Sequence, residues 1–181
     1  MGGVRVGIVA QTGSAVAVAL TGSPRRPEFA GRWPVELVPD DLPVQYHAAA
    51  GMDPDAAEAL VRRVEQAAGE AAGDALRSLT DLVFVDGVGL LVKPTPRAPG
   101  TVAAVVRNHV AMHTAEGELY LDALMSAAEQ LGLPVQAIPP DALPEATDRV
   151  AAIGKAAGRP WRRQEKDAAR CALVLLGSEI G

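Results

Sequence analysis

At 181 residues the chain has the length of one domain, and a domain of that size buries roughly 70% of the surface its unfolded form exposes, so neither a disulfide nor a structural metal is needed to hold a core. The single cysteine, Cys171, excludes an internal disulfide and makes a reduced cytoplasm the natural setting. A formal charge of -5 and a pI of about 5.2 argue against a general nucleic-acid coat, and 3% aromatic residues leave few platforms on which single-stranded bases could stack.

The opening run Met1 to Ala10 carries only Arg5 before a polar turn and does not read as a signal peptide. No stretch approaches the roughly 20 apolar residues of a membrane helix. Arg5 to Ala10 and Ala15 to Leu20 are two β-prone runs joined by Gln11, Thr12, Gly13 and Ser14, the chemistry of an antiparallel hairpin turn. Trp33 to Val38 predicts the third strand of a meander, with Pro34 near its beginning. Pro39 to Gly51 reads as a loop that exposes Tyr46 and His47.

Asp53 before Pro54 predicts a helix start, because the Asp side chain caps free amides and proline's fixed φ suits the first turn. Leu60, Val61, Val64, Ala68, Ala72, Leu76 and Leu79 then recur at steps of three and four, one apolar stripe through about Leu79. Its second half is alanine and glycine, small enough for close packing on the sheet or on a second copy of the chain. Asp81 to Lys93 predicts a nearly continuous apolar, two-sided strand, interrupted at Asp86, Gly87 and Gly89. Thr101 is placed to cap a helix that runs to Gly132, with a bend expected at Gly117. Leu133 to Ile138 predicts a last strand, Asp141 to Ala157 a helix, and Arg162 to Leu176 the terminal helix.

Three sequential strands, a long helix, a strand, helical material, a strand and a terminal helix: this order resembles the ribonuclease H-like superfamily, which includes resolvases of the RuvC type. Val6, Gly7 and Ile8 through Gly13 look like that fold's first strand and turn, and Lys166, Asp167, Ala168 and Ala169 resemble the resolvase terminal helix. The resemblance implies an α/β fold, a mixed five-stranded sheet with helices on both faces in one domain over 1–181. It also implies carboxylates from the first strand, a later element and the terminal helix converging on two divalent metals that activate water. Here Val9 and Ala10 stand where the metal-binding Asp is expected, and no carboxylate occurs between Met1 and Ser23.

Two functional readings follow. In the first, the domain lacks the standard nuclease site and acts as a binding or assembly module, self-associating as a homo-oligomer through its alanine-rich helix. In the second it is a divalent-metal nuclease or phosphodiesterase with a rearranged acidic site: Glu116, Glu118 and Asp167 as catalytic acids, Asp86 as a fourth ligand, and Arg162, Arg163 and Lys166 gripping substrate phosphate. The cofactor would be a divalent cation, Mg, Mn or Zn. Nucleic acid as a partner is disfavoured by the net charge.

Independently of the resemblance, His109, His113 and Glu116 fall at i, i+4 and i+7, so a continuous helix projects all three from one face, a donor set for zinc or manganese. His47 could join from its loop, which would use all 3 histidines. The other reading of the pair is histidines bonded to backbone or acids at the sheet edge. The turn Gln11 to Ser14 resembles the phosphate-holding turn of actin-like relatives, but without a second such loop an ordinary turn is favoured. Arg159, Pro160, Trp161, Arg162 and Arg163 form a candidate contact surface, with Trp161 plugging the core as the favoured alternative. Cys171, in an apolar helix stripe, is expected to be inert.

Overall fold

A computed structural model describes residues 3–43, 46–94, 97–145 and 148–178. The chain forms a five-stranded sheet of order β3-β2-β1-β4-β5: β1 is Val4–Gln11, β2 Ser14–Ser23, β3 Arg26–Glu36, β4 Val85–Leu91 and β5 Val135–Ile138. The first three strands are an antiparallel meander, while β1 with β4 and β4 with β5 are parallel. All strands except β2 therefore run the same way, and β1, β3 and β4 end at one edge. At that edge the Leu37 N–H donates to the Gly13 carbonyl at 2.9 Å, tying the end of β3 to the β1–β2 turn.

Strand alternation divides the helices between two faces. Ala15, Ala17 and Ala19 of β2 pack with α1 (Pro54–Leu82) and α3 (His109–Gln130). Val16, Val18 and Leu20 pack with α4 (Asp148–Ala157) and α5 (Arg163–Gly177). A four-residue helix, α2 (Val102–Val105), lies against α1 and α3. No helix among the described residues is long and apolar enough to cross a membrane.

The start of α1 is as expected: the Asp53 side chain accepts from the Asp55 N–H and Pro54 opens the helix. Its Ala68 and Ala72 are fully buried inside the chain, while a Cβ at Gly69 would meet open space. Four boundaries differ from the sequence reading. β3 begins at Arg26, seven residues before Trp33, because only Pro24 and Arg25 separate it from β2; its first half alternates exposed and half-buried residues, as an edge strand does, and shows no apolar run. Asp81 and Leu82 extend α1 instead of opening β4, and Leu82 and Phe84 are 68% and 77% exposed, so that apolar run does not mark burial. The helix begun at Thr101 breaks after Val105, and α3 restarts behind its own cap, where the Asn108 side chain accepts from the Val110 and Ala111 N–H groups; Gly117 lies within unbroken helix. The helix expected from Asp141 is a 3-10 turn, Pro140–Ala142, followed by α4, with Ala146 and Thr147 outside the described residues.

Candidate metal centre

The edge where β1, β3 and β4 end is where α/β sheets place their ligands. Among the connections that leave from it are residues 37–53, between β3 and α1, and residues 92–108, which lead to α3. The first carries a 3-10 turn, Tyr46–Ala48, and the second delivers His109 as the opening residue of α3. Along α3 one stripe links core and site: Tyr120, Leu124 and Ala127 are buried against the sheet, and one helical face above them come Glu116, His113 and His109.

The histidines meet there. His47 Nδ1 lies 3.0 Å from Glu116 Oε1, and His47 Nε2 lies 3.1 Å from His109 Nδ1. His109 Nε2 lies 3.2 Å from His113 Nε2, and His113 Nδ1 returns to Glu116 Oε2 at 3.5 Å. Glu116 is only 2% exposed, and its ion-pair partners among the described residues are His47 and His113. Three neutral imidazoles supply three N–H groups for these four contacts, so one contact lacks its proton whichever tautomers are chosen. A cation among the rings removes that shortfall and offsets a buried carboxylate, which is costly without one.

The donor geometry fits a transition metal. One ligand atom from each of His47, His109 and His113 lies within 4.8 Å of the others. A tetrahedral zinc with bonds near 2.0–2.1 Å needs its nitrogens about 3.3 Å apart, so the rings close by at most about 1.5 Å. His109 and His113 are exposed at the helix start and free to rotate by that much. With a metal there, Glu116 would accept the Nδ1–H of His47, which would fix that ring and leave Nε2 for the metal.

The other sequence-derived candidates lie elsewhere. Glu118, two residues from Glu116, points off the histidine face and accepts from the Ala98 N–H at 3.2 Å. Asp167 sits on α5, across the sheet from α3, and pairs with Arg170 at 2.9 Å and Arg163 at 3.6 Å. Glu116, Glu118 and Asp167 are thus not brought together. Asp86 opens β4, away from the edge where β4 ends, and pairs with Arg5 at 2.9 Å. The backbone N–H of Arg162 donates to Glu165, Arg163 faces Asp167, and Lys166 is exposed, all at the start of α5. Trp161 packs against the α4–α5 cluster, over Gly154, and the carbonyls of Gly158, Arg159 and Pro160 accept from Arg32. Burial pushes the Cys171 thiol up to about 12, Asp167 adding to the effect, which keeps it unreactive.

Beside the centre lies a cleft of about 380 Å3 between α1, α2 and α3, lined by Tyr46, Glu65, Arg97, Val102, Glu118 and Asp122 among others. The sequence showed no sign of it, since these residues lie far apart in the chain and none breaks a periodic pattern. Burial pushes the Glu65 carboxyl up. Tyr46 is half-buried, not exposed as expected, and packs toward Val105, Met112 and Ala115 on one side and Ala49, Ala57 and Val61 on the other. Burial, then Glu65, Glu118 and Glu116, push its phenol up to about 12; burial, then Glu116 and Tyr46, do the same to Tyr120. The fold thus prefers both neutral phenols. That contribution is whole below the usual tyrosine value of about 10 and is lost as pH climbs through about 12. The chain has 2 tyrosines, so an absorbance titration at 295 nm should show neither ionising near pH 10 in the folded protein. One phenolate appearing there without unfolding would contradict the packing of Tyr46 or Tyr120.

No protein-family model matches the sequence, and no curated protein matches it. Solved structures do. The chain is similar to Thermus thermophilus RuvC in complex with a Holliday junction substrate, with a TM-score of 0.60 and 14% identity over 96% of this chain and 92% of that one. A second Thermus thermophilus RuvC structure matches with a TM-score of 0.54 and 16% identity, over 94% of this chain and 92% of that one. At such identity the likeness concerns the backbone: this chain has the ribonuclease H-like fold, in the arrangement that RuvC has.

Proposed function

We propose that this protein is a metal-binding module on a ribonuclease H-like scaffold, taking a transition metal such as zinc at His47, His109 and His113. The observation that carries the reading is the convergence of three imidazoles, one from the turn after β3 and two from α3, beside a buried carboxylate that His47 and His113 contact. Imidazole donors suit zinc and its neighbours better than magnesium, which prefers oxygen ligands. The likeness to RuvC supports the scaffold and not the chemistry, since fold alone does not carry function. Nuclease action on two metals is the weaker reading, because Asp167 is engaged with arginines on the far face and Val9 and Ala10 bring no carboxylate to the end of β1.

Zinc added to chelator-stripped protein at 100 times its dissociation constant should stabilise the fold by about 2.7 kcal/mol, or roughly 5–10 °C for a chain of this length. His113→Ala should abolish most of that shift, and Glu116→Gln should weaken zinc roughly 10- to 100-fold, because a neutral amide oxygen replaces the carboxylate that orients His47. Unchanged melts with zinc, manganese, cobalt and nickel alike would refute the metal reading.

A further inference from the structure

We propose that the metal acts as a latch: by bridging His47 to His109 and His113 it fastens the Tyr46–Ala48 turn onto α3 and sets the wall of the adjoining cleft, an inference that rests on the metal reading above. The asymmetry of the ligand set carries it. His109 and His113 lie four residues apart on one helix and stay together whatever the rest of the chain does. His47 is the only one of the three imidazoles brought from outside α3, 62 residues from His109. Opening the turn therefore removes one ligand of three, and a three-imidazole site cannot persist in the open form.

The turn is otherwise held by apolar packing of Tyr46 and Ala49 with Ala57 and Val61 of α1 and by local bonds. Its own backbone bonds are local, from the Ala49, Ala50 and Met52 N–H groups to the Tyr46, His47 and Ala49 carbonyls. Among the described residues its ties to α3 are the His47 ring contacts and the packing of Tyr46 against Met112 and Ala115. Gly51, at φ 84, and exposed Met52 follow before α1 begins. Tyr46 precedes His47 directly, so a ring fastened at 47 holds in place the backbone that carries the phenol at 46. That phenol lines the cleft together with Val102 and Val105 of α2. Linkage is reciprocal: whatever metal gains from the closed turn, the closed turn gains from metal.

The test is hydrogen exchange read by mass spectrometry, with zinc as the only added ligand and its binding measured separately by calorimetry. If the open turn binds zinc negligibly, zinc at 100 times its dissociation constant should slow exchange of the Ala49, Ala50 and Met52 amides by up to about 100-fold, with slower exchange also in α2, while β1 and α5 change little. In His47→Ala, zinc should still bind the α3 pair, more weakly, and leave exchange of the turn unchanged; exchange in β1 and α5 reports whether the variant is folded. Zinc binding to wild type with no slowing at residues 49–52 would overturn the latch and leave the metal reading standing. Slowing that persists in His47→Ala would also overturn it, and no zinc binding to wild type would overturn both.

Discussion

Gly7→Ala should destabilise the protein by about 4 kcal/mol and lower its melting temperature by roughly 10 °C. A Cβ at Gly7 would stand 1.9 Å from the Ala168 carbonyl oxygen, 2.7 Å from the Ala172 nitrogen and 2.8 Å from Cys171 Cβ. These are mainly backbone atoms of α5, which cannot swing away as a side-chain end can, so the helix must lift off β1. That helix packs on β1, β2 and β4 together, and a displacement at β1 disturbs its contacts with all three. Two other glycines supply the contrast. At Gly89 the nearest atom, 2.6 Å away, is the terminal Cδ1 of Ile138, which can yield, so Gly89→Ala should cost less. At Gly69, on α1, nothing lies within 4 Å, and alanine should stabilise the helix by about 0.5–1 kcal/mol. Thermal melts of the three variants give the ranking; a Gly7→Ala shift below about 2 °C would show that α5 does not press on β1 as closely as the structure has it.

Tyr120→Ala should cost about 3–5 kcal/mol, the range for removing a large buried aromatic ring. Tyr120 is 0% exposed and belongs to the cluster that joins α1, α3 and the sheet. It also lies one turn beyond Glu116 on the same face of α3. The loss should appear as a lower urea midpoint with little change in slope, because the folded and unfolded surfaces stay much the same. If the variant is still folded at 25 °C, zinc should still raise its midpoint, since His47, His109, His113 and Glu116 are untouched. A variant as stable as wild type would mean that α3 does not pack as described.

Legibility in the sequence followed the range over which each signal acts. The start of α1 was readable because a capping Asp, a proline and a stripe at helical spacing all act within a few residues. The break before α3 was also written locally, in Asn108, whose side chain is the cap, yet the valines and alanines around it read as one unbroken helix. The first half of β3 was hidden because an edge strand with Pro27, Glu28 and Gly31 needs no apolar run; pairing with β2 makes it a strand. The spacing of His109, His113 and Glu116 was legible as one helical face. The sequence placed His47 on a loop that could reach that face; that it does so depends on β1, β3 and β4 ending at the same edge, a property of strand order that no local pattern encodes. The same limit applied to Asp86, whose arginine partner lies across a strand pairing, whereas the partners of Asp167 stand at helical spacing on α5 and were written locally.

That shared edge bears on how such a protein can change over generations. The proposed ligands stand on the connection after β3 and on the first turns of α3, while the sheet and α5 are held by contacts between strands and helix backbones elsewhere. A lineage can therefore lengthen, shorten or rewrite these segments, acquiring or losing a metal centre, without disturbing the framework that folds the chain. Chemistry at this end of the sheet is exchangeable, and the scaffold beneath it is the part that must be inherited whole.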